Sequence, residues 1–400
     1  MCSGRQAVEL LSFERHLALS DPGPFRFPGG PPLSVSAASA LAANASAWDE
    51  ACEGLPYAHG RPALALIGAL LPLAVQRGDT LETLLNALIA GYEAGGRAGG
   101  WLRIRPGMHV DGNWPALGVA AGVGLLLGLS PDERWQAVNS VGCQLPASLY
   151  APIRSGDDAR NLYPGHCAWL GLMAVQAARS GIRAPDEVLI EVAHEHAHAD
   201  GRPAPPDSRV LLLEAYFKPH AGVRHAHYGL EAAIRLRQAM PADTRSIDAI
   251  HLKIYEEAIR YAGNRHPQAA ITGQFSLSLG VAAGLRFGGM SPRLFRSEQF
   301  HDPEMRRLER LITIEPNPHA GADQTRAATL TVRAGNTTHE ASVTSLAGDP
   351  SRPPTPEQIR DKFVRYSEGV IAAPQSAAFA NAILTGEGST RFSDLWNALG

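Results

Sequence analysis

The sequence predicts a mainly α protein, built as a large all-helical domain plus a smaller α+β domain. Three observations predict this. From about residue 35 to 185, Ala, Leu and Gly recur at helical spacing between short breaks. Past the proline-rich linker 201–206, β-branched residues become frequent and alternate as strands do. Beyond a second loop at 350–356, helical periodicity returns. The expected division is therefore 1–205 with 356–400 for the helical domain, and 206–355 for the α+β domain.

Each element has a local reason. Residues 80–97 read as a helix because Thr80 can cap it, Glu82 follows in the first turn, and Leu81, Leu84, Leu85, Leu88 and Ile89 make one apolar stripe. Residues 117–129 carry Gly118, Gly122 and Gly124, small enough to let a neighbouring helix approach closely. Ser130-Pro131-Asp132-Glu133 is a start signal, with proline at the first helical position and acids at the positive end of the dipole. In the second part, 226–238 reads as a helix, and 247–254, 311–315, 328–333 and 340–344 read as strands. The tail predicts helices at 356–366 and 372–384, packed back on the first domain.

The composition excludes several classes. With 45% hydrophobic and 19% charged residues over 400 positions, the chain is neither disordered nor fibrous. A net charge of −3 without a basic block leaves no footprint for nucleic acid. The longest apolar runs, such as 63–75, fall short of the roughly 20 residues a bilayer requires, and charges interrupt the first stretch, so neither membrane nor export is expected. Cysteines at 2, 52, 143 and 167 form no CxxC pair, which fits a reducing cytoplasm. Of 36 basic residues only Lys218, Lys253 and Lys362 are lysines. Lys253 falls in a predicted strand and Lys362 on a predicted surface helix, where either cation would serve, whereas Lys218 stands in a loop.

One short motif points to metal. His194-Glu195-His196-Ala197-His198 satisfies HExxH, in which two histidines on one helix face could hold zinc. Helical composition ends at once through Asp200-Gly201-Arg202-Pro203, and Ala204 fills the slot of a third histidine. The stretch is read as the polar end of a surface helix, and no metal is expected. Gly122, Gly124 and Gly128 have the wrong spacing for a dinucleotide fingerprint and no strand before them.

A scattered set of polar residues in loops is more informative. Asp49 and His59 flank one loop, His109 lies in a Gly/Pro-rich turn, Arg160 in another, and Lys218 in Phe217-Lys218-Pro219-His220. In order along the chain, His59-Gly-Arg-Pro-Ala-Leu, residues 90–97, Met108-His109 before a Gly/Ala-rich helix, Lys218-Pro219 with Arg224 and His227, and Gly273-Gln274-Phe275-Ser276-Leu277 resemble the MmgE/PrpD family. That family includes 2-methylcitrate dehydratases, aconitate decarboxylases and an iminodisuccinate epimerase. The resemblance implies a large helical domain with a smaller α+β domain, a homodimer, and no cofactor or metal.

By position, Asp49 is similar to the first aspartate of the family's DFDDT-like loop, with Glu53 in place of its threonine. His59 resembles the histidine that follows, His109 that of the FHP turn, and Lys218 the lysine of the KPYPxCRxTH-like segment, which also supplies Arg224. Arg160 and Tyr163 fall in the TKRLHAG-like loop, where arginine replaces lysine. Val223 stands where animal aconitate decarboxylases have a histidine. The resemblance thus implies catalytic roles for His59, His109, Asp49 and Lys218, and contacts to substrate from Arg160, Arg224, Glu53 and Tyr163.

These residue types suit one chemistry. A carbanion developing beside a carboxylate needs a base, an acid and fixed positive charge. Imidazoles supply the first two and Lys or Arg the third, while Asp49 would orient one histidine. The expected protein is a metal- and cofactor-independent hydro-lyase acting on a hydroxylated di- or tricarboxylate such as a 2-methylcitrate-like acid. A decarboxylase or epimerase on a related acid, or a non-catalytic family member, is the alternative.

Overall fold

The computed structural model describes residues 1–196, 205–240, 243–317 and 326–400, with the side chains of 193–196 left aside. The side chains of the HExxH stretch, residues 197–198 of it entirely, and most of the 201–206 linker therefore lie outside what is described. Among the described residues, no group of three or more His, Cys, Asp or Glu is arranged to hold a metal ion. No described helix is long and apolar enough to cross a membrane.

Among the described residues the chain is mainly helical, with a four-stranded mixed sheet and a short antiparallel pair, Phe25–Arg26 with Pro32–Leu33. Helices Val35–Ala47, Ala63–Arg77, Leu81–Trp101, Pro115–Leu126, Pro131–Gly142 and Tyr163–Arg179 enclose the first apolar core. Thr80 caps Leu81–Trp101 by accepting from the Thr83 amide, and Ser130 with Glu133 forms a reciprocal capping box, as their residue types predict. Helices Leu81–Trp101 and Pro115–Leu126 touch backbone to backbone. A Cβ built on Gly118 would stand 2.6 Å from the Gly91 carbonyl oxygen, so only glycine permits that approach.

The second core covers a four-stranded sheet. Its strands run in the order Ile312–Pro316, Ile247–Ile254, Ala328–Ala334, Thr337–Val343; the first two are parallel and the other pairings antiparallel. Ala328, Leu330 and Val332 alternate inward. Helix Arg224–Ala239 packs on helix Leu277–Phe287, with Ala226 against Gly280 and with Leu230 and Ala233 against Gly284, while its Gly229 lies against Leu252 of the sheet.

The tail helices Pro356–Ser367, Ala373–Thr385 and Phe392–Asn397 return to the first core, where Ile371, Phe392, Trp396 and Leu399 are buried. Leu211 also belongs to that core, beyond the boundary at 205 read from composition. The expectation for Lys362 needs correction. Its ammonium does not stand on an open surface but reaches inward from Pro356–Ser367 to the carbonyls of Ala51 and Lys218.

Candidate active site

The site begins where helix Val35–Ala47 ends. Glu50 adopts φ 51°, a left-handed conformation that costs a non-glycine residue energy and that surrounding contacts must enforce. Across this turn Asp49 and Glu50 meet different partners. Asp49 pairs with Arg296, which also donates to Ser3 Oγ at 3.0 Å. Glu50 enters a buried charge cluster.

In that cluster Glu50 accepts from Arg61, Arg160 and Lys218, the last at 3.0 Å. Lys218 Nζ also donates to the Glu50 carbonyl at 2.9 Å and the Gly222 carbonyl at 3.2 Å, so all three of its protons are placed. Arg61 forks onto Asp111, and Arg160 approaches the same carboxylate at 3.3 Å. Two carboxylates thus hold three cations, with every side chain at most 8% exposed. Burial alone would push Glu50 up, yet Arg160, Arg61 and Lys218 hold its carboxyl well below the usual range. Asp111 likewise stays low: burial raises it, while Arg61, His109 and Arg160 pull it down further.

His109 borders this cluster. Its Nδ1 accepts from the Asp111 backbone N–H at 3.2 Å, which assigns the proton of the neutral imidazole to Nε2. The ring stacks on Tyr150 at a centroid distance of 5.8 Å. Burial, opposed by the Asp111 charge and reinforced by Arg160 and Arg61, lowers His109 to about 3 and keeps it neutral.

A cavity of about 940 Å³ opens beside these groups, walled by residues near both cores. Seven arginines and Lys218 line it, against two carboxylates, Glu50 and Glu257. The chain as a whole carries −3, so the positive charge is concentrated here. Arg224, 5% exposed, lies over the Tyr216 ring at 3.9 Å and contacts Asp349, while its Nη1 has no hydrogen-bond partner among the described residues. A buried guanidinium N–H of this kind is costly to leave unmatched and suits a bound anion.

Of the eight side chains singled out from the sequence, four meet at this cavity: His59, His109, Lys218 and Arg224. His59 sits exposed in the wall with φ 52° and its Nε2 3.4 Å from Arg103 Nη2. The other four are not in the wall. The Asp49 carboxylate is engaged with Arg296; the carboxylate beside His109 is Asp111, with Oδ2 at 3.7 Å from Nδ1. Arg160 is wholly buried behind Glu50 and Asp111, where it neutralises carboxylates of the chain itself. Tyr163 donates to the Leu149 carbonyl at 3.0 Å and only flanks the His109 ring.

Glu53 is a link within the scaffold, accepting from the Ala63 amide at 2.9 Å and from Tyr92 at 3.2 Å. Burial, outweighing the Ala63 amide, Arg61 and Tyr92, pushes it from 4.5 up to about 7. A carboxyl that binds its proton more tightly when folded penalises the fold increasingly as pH rises through that window. Glu53→Gln is therefore expected to unfold at a higher temperature than the parent at pH 8 and to lose this advantage at pH 5.

Sequence reasoning missed Glu50, Arg61, Asp111, Tyr150 and His225. Arg61 and Asp111 lie in the stretches around His59 and His109, two residues from each histidine, and that proximity was the available signal. Glu50 differs from its neighbour Asp49 only by one methylene and one position. His225 lines the cavity with Nδ1 2.6 Å from the Tyr255 hydroxyl, and nothing in its local context marks it.

Comparison with known proteins adds an independent finding. Residues 14–194 match the model of the MmgE/PrpD N-terminal domain, and residues 220–385 match that of the MmgE/PrpD C-terminal domain. The first match contains Glu50, His59, Arg61, His109 and Asp111; the second contains Arg224 and Lys362; Lys218 lies between them. No curated protein matches the chain.

Proposed function

Because the chain belongs to the MmgE/PrpD family, whose membership supports a lyase-type function, we propose that it is a hydro-lyase acting on a hydroxylated di- or tricarboxylate such as a 2-methylcitrate-like acid. The carrying observation is the cavity itself, where among the described residues seven arginines and a lysine face two carboxylates beside three histidines, His59, His109 and His225. Such a surplus selects polyanions, and the histidines supply proton transfer.

The reaction breaks a C–H bond next to a carboxylate, forms the C=C bond, and releases the β-hydroxyl as water. The Arg224 Nη1 position, without a hydrogen-bond partner among the described residues, takes a substrate carboxylate. His59 removes the proton. Charge that develops on the carboxylate as the C–H bond breaks is stabilised by the cations of the wall, of which Arg61 and Lys218 need no reorganisation because Glu50 and Asp111 already hold them. The negative charge of the bound acid offsets Arg160 and Arg61 and raises the proton affinity of the His109 imidazole, so that it takes up a proton with the substrate. The imidazolium then gives its Nε2 proton to the departing hydroxyl, which leaves as water, and returns to the neutral form while His59 holds the abstracted proton. Val223, in the same wall, offers no proton and so favours dehydration over decarboxylation. We extend the proposal to a homodimer working without cofactor or metal.

A panel of hydroxylated di- and tricarboxylic acids tests this reading. Growth of enoate absorbance without release of CO₂ supports it. CO₂ release would replace it with a decarboxylase, and proton exchange in D₂O without net conversion would replace it with an epimerase. Silence across the panel rejects it. Within the active case, Arg224→Gln is expected to raise KM by about ten- to hundredfold, the range of a lost charge-assisted hydrogen bond, with a smaller change in kcat.

A further inference from the structure

Two ammonium groups tie together the same two pieces of chain. On the cavity side, Lys218 Nζ binds the carbonyls of Glu50 and Gly222 and the Glu50 carboxylate. Lys362 from the tail helix donates to the Ala51 carbonyl at 2.7 Å and to the Lys218 carbonyl at 2.6 Å. Its ammonium also lies 4.3 Å from the Phe217 ring centroid and 5.3 Å from that of Tyr366. Residues 50–51 and 217–222 are thus bridged twice, once by each lysine.

We propose that Lys362 is a positioning residue for the active site: it fixes the Glu50 turn against the Lys218 segment, so that the carboxylate shared by Arg61, Arg160 and Lys218 stays in register with the cavity. This inference rests on the catalytic reading above. Several facts support it beyond the two hydrogen bonds. Glu50 holds a left-handed φ, a conformation that relaxes unless contacts on the following residue oppose it, and Ala51 is where Lys362 grips. Both acceptors are neutral carbonyls, so the part-buried ammonium has no carboxylate partner among the described residues, a costly arrangement for a residue that only fills space. Burial, with the like charge of Lys218 and Arg365 and against Cys52 and Asp49, lowers Lys362 to about 7. The chain writes arginine for all but three of its 36 basic residues, yet has lysine here. A compact ammonium can point protons at two carbonyls on separate loops and at ring faces, whereas a flat guanidinium is built for forked acceptors.

The test compares the full-length protein with Lys362→Met, which keeps the aliphatic stem and removes the ammonium. Backbone hydrogen exchange is read by mass spectrometry, and turnover is read on the best acid of the panel. The expected result is faster exchange confined to residues 48–60 and 214–224, unchanged exchange in the sheet strands 247–254 and 328–334, and kcat lower by about ten- to hundredfold with KM nearly constant, as small displacements of a catalytic group produce. Lys362→Arg should recover part of kcat. Unchanged local exchange and unchanged kcat in Lys362→Met would overturn the proposal. So would a general rise in exchange across both cores, which marks a merely structural role. If the parent protein turns over no acid of the panel, the catalytic reading fails separately, and the exchange pattern alone decides whether Lys362 holds the two loops.

Discussion

Glu50→Ala is expected to destabilise the fold by about 3–5 kcal/mol and to abolish turnover, the largest stability effect of any single substitution in the site. Its carboxylate is 3% exposed and shared by Arg61, Arg160 and Lys218. Without it, Asp111 alone faces the two arginines, and Lys218 keeps only carbonyl acceptors. Positive charge stripped of its partner in a buried site cannot recover its hydration, so the penalty exceeds the value of any one hydrogen bond. A whole protein commonly holds about 5–15 kcal/mol, so the loss is a large fraction of the total. Urea denaturation at pH 7 reads it directly. Glu50→Gln, which keeps an acceptor oxygen but sets an NH₂ group against a guanidinium, should fall between the two. An unchanged midpoint in both variants would mean that the three cations find other partners.

His109→Ala should leave the protein folded and lower kcat by about 10²- to 10⁴-fold, the range of a lost proton-transfer group. The imidazole contacts the Asp111 amide through Nδ1 and Tyr150 through its face, so its removal perturbs packing much less than it perturbs chemistry. The same substitution carries a signature in stability that needs no substrate. The imidazole lies near 6.5 when unfolded and is lowered to about 3 in the fold. Between those values the unfolded chain binds a proton that the folded chain refuses, so stability contributed above 6.5 is lost as pH falls. The variant lacks that linkage. Its unfolding free energy should decline less steeply than the parent's between pH 6.5 and 4, measured by denaturant titration at each pH. Parallel slopes would show that His109 is not the buried neutral imidazole described here.

Much of the architecture was legible in the residues. Helix starts at Thr80 and Ser130 are written in cap residues that act over three or four positions, and the strand 328–334 is written in its alternation. The glycines at 118 and 122 announced a close helix contact because few other constraints require a missing Cβ. The site was legible only in part. His59, His109, Lys218 and Arg224 stand in order along the chain within recognisable surroundings, and the fold gathers them at one cavity. Asp49 and Arg160 occupy equally recognisable surroundings, yet one faces Arg296 and the other lies behind the wall.

What the sequence determined by itself was the set of local elements, the family, and the presence of acid, base and cation in loops, because caps, periodicity and residue chemistry act within a few positions. What only the tertiary structure decided was which carboxylate and which cation stand together at the cavity. Glu50 reaches Arg61, Arg160 and Lys218 across separations of 11, 110 and 168 residues. Its choice over Asp49 turns on one left-handed backbone angle. Lys362 tells the same story from the tail: its place on a helix follows from the pattern of residues around it, while the two carbonyls it joins lie 311 and 144 residues away. Ion pairing and desolvation depend on distance in space, and local pattern carries no record of that distance.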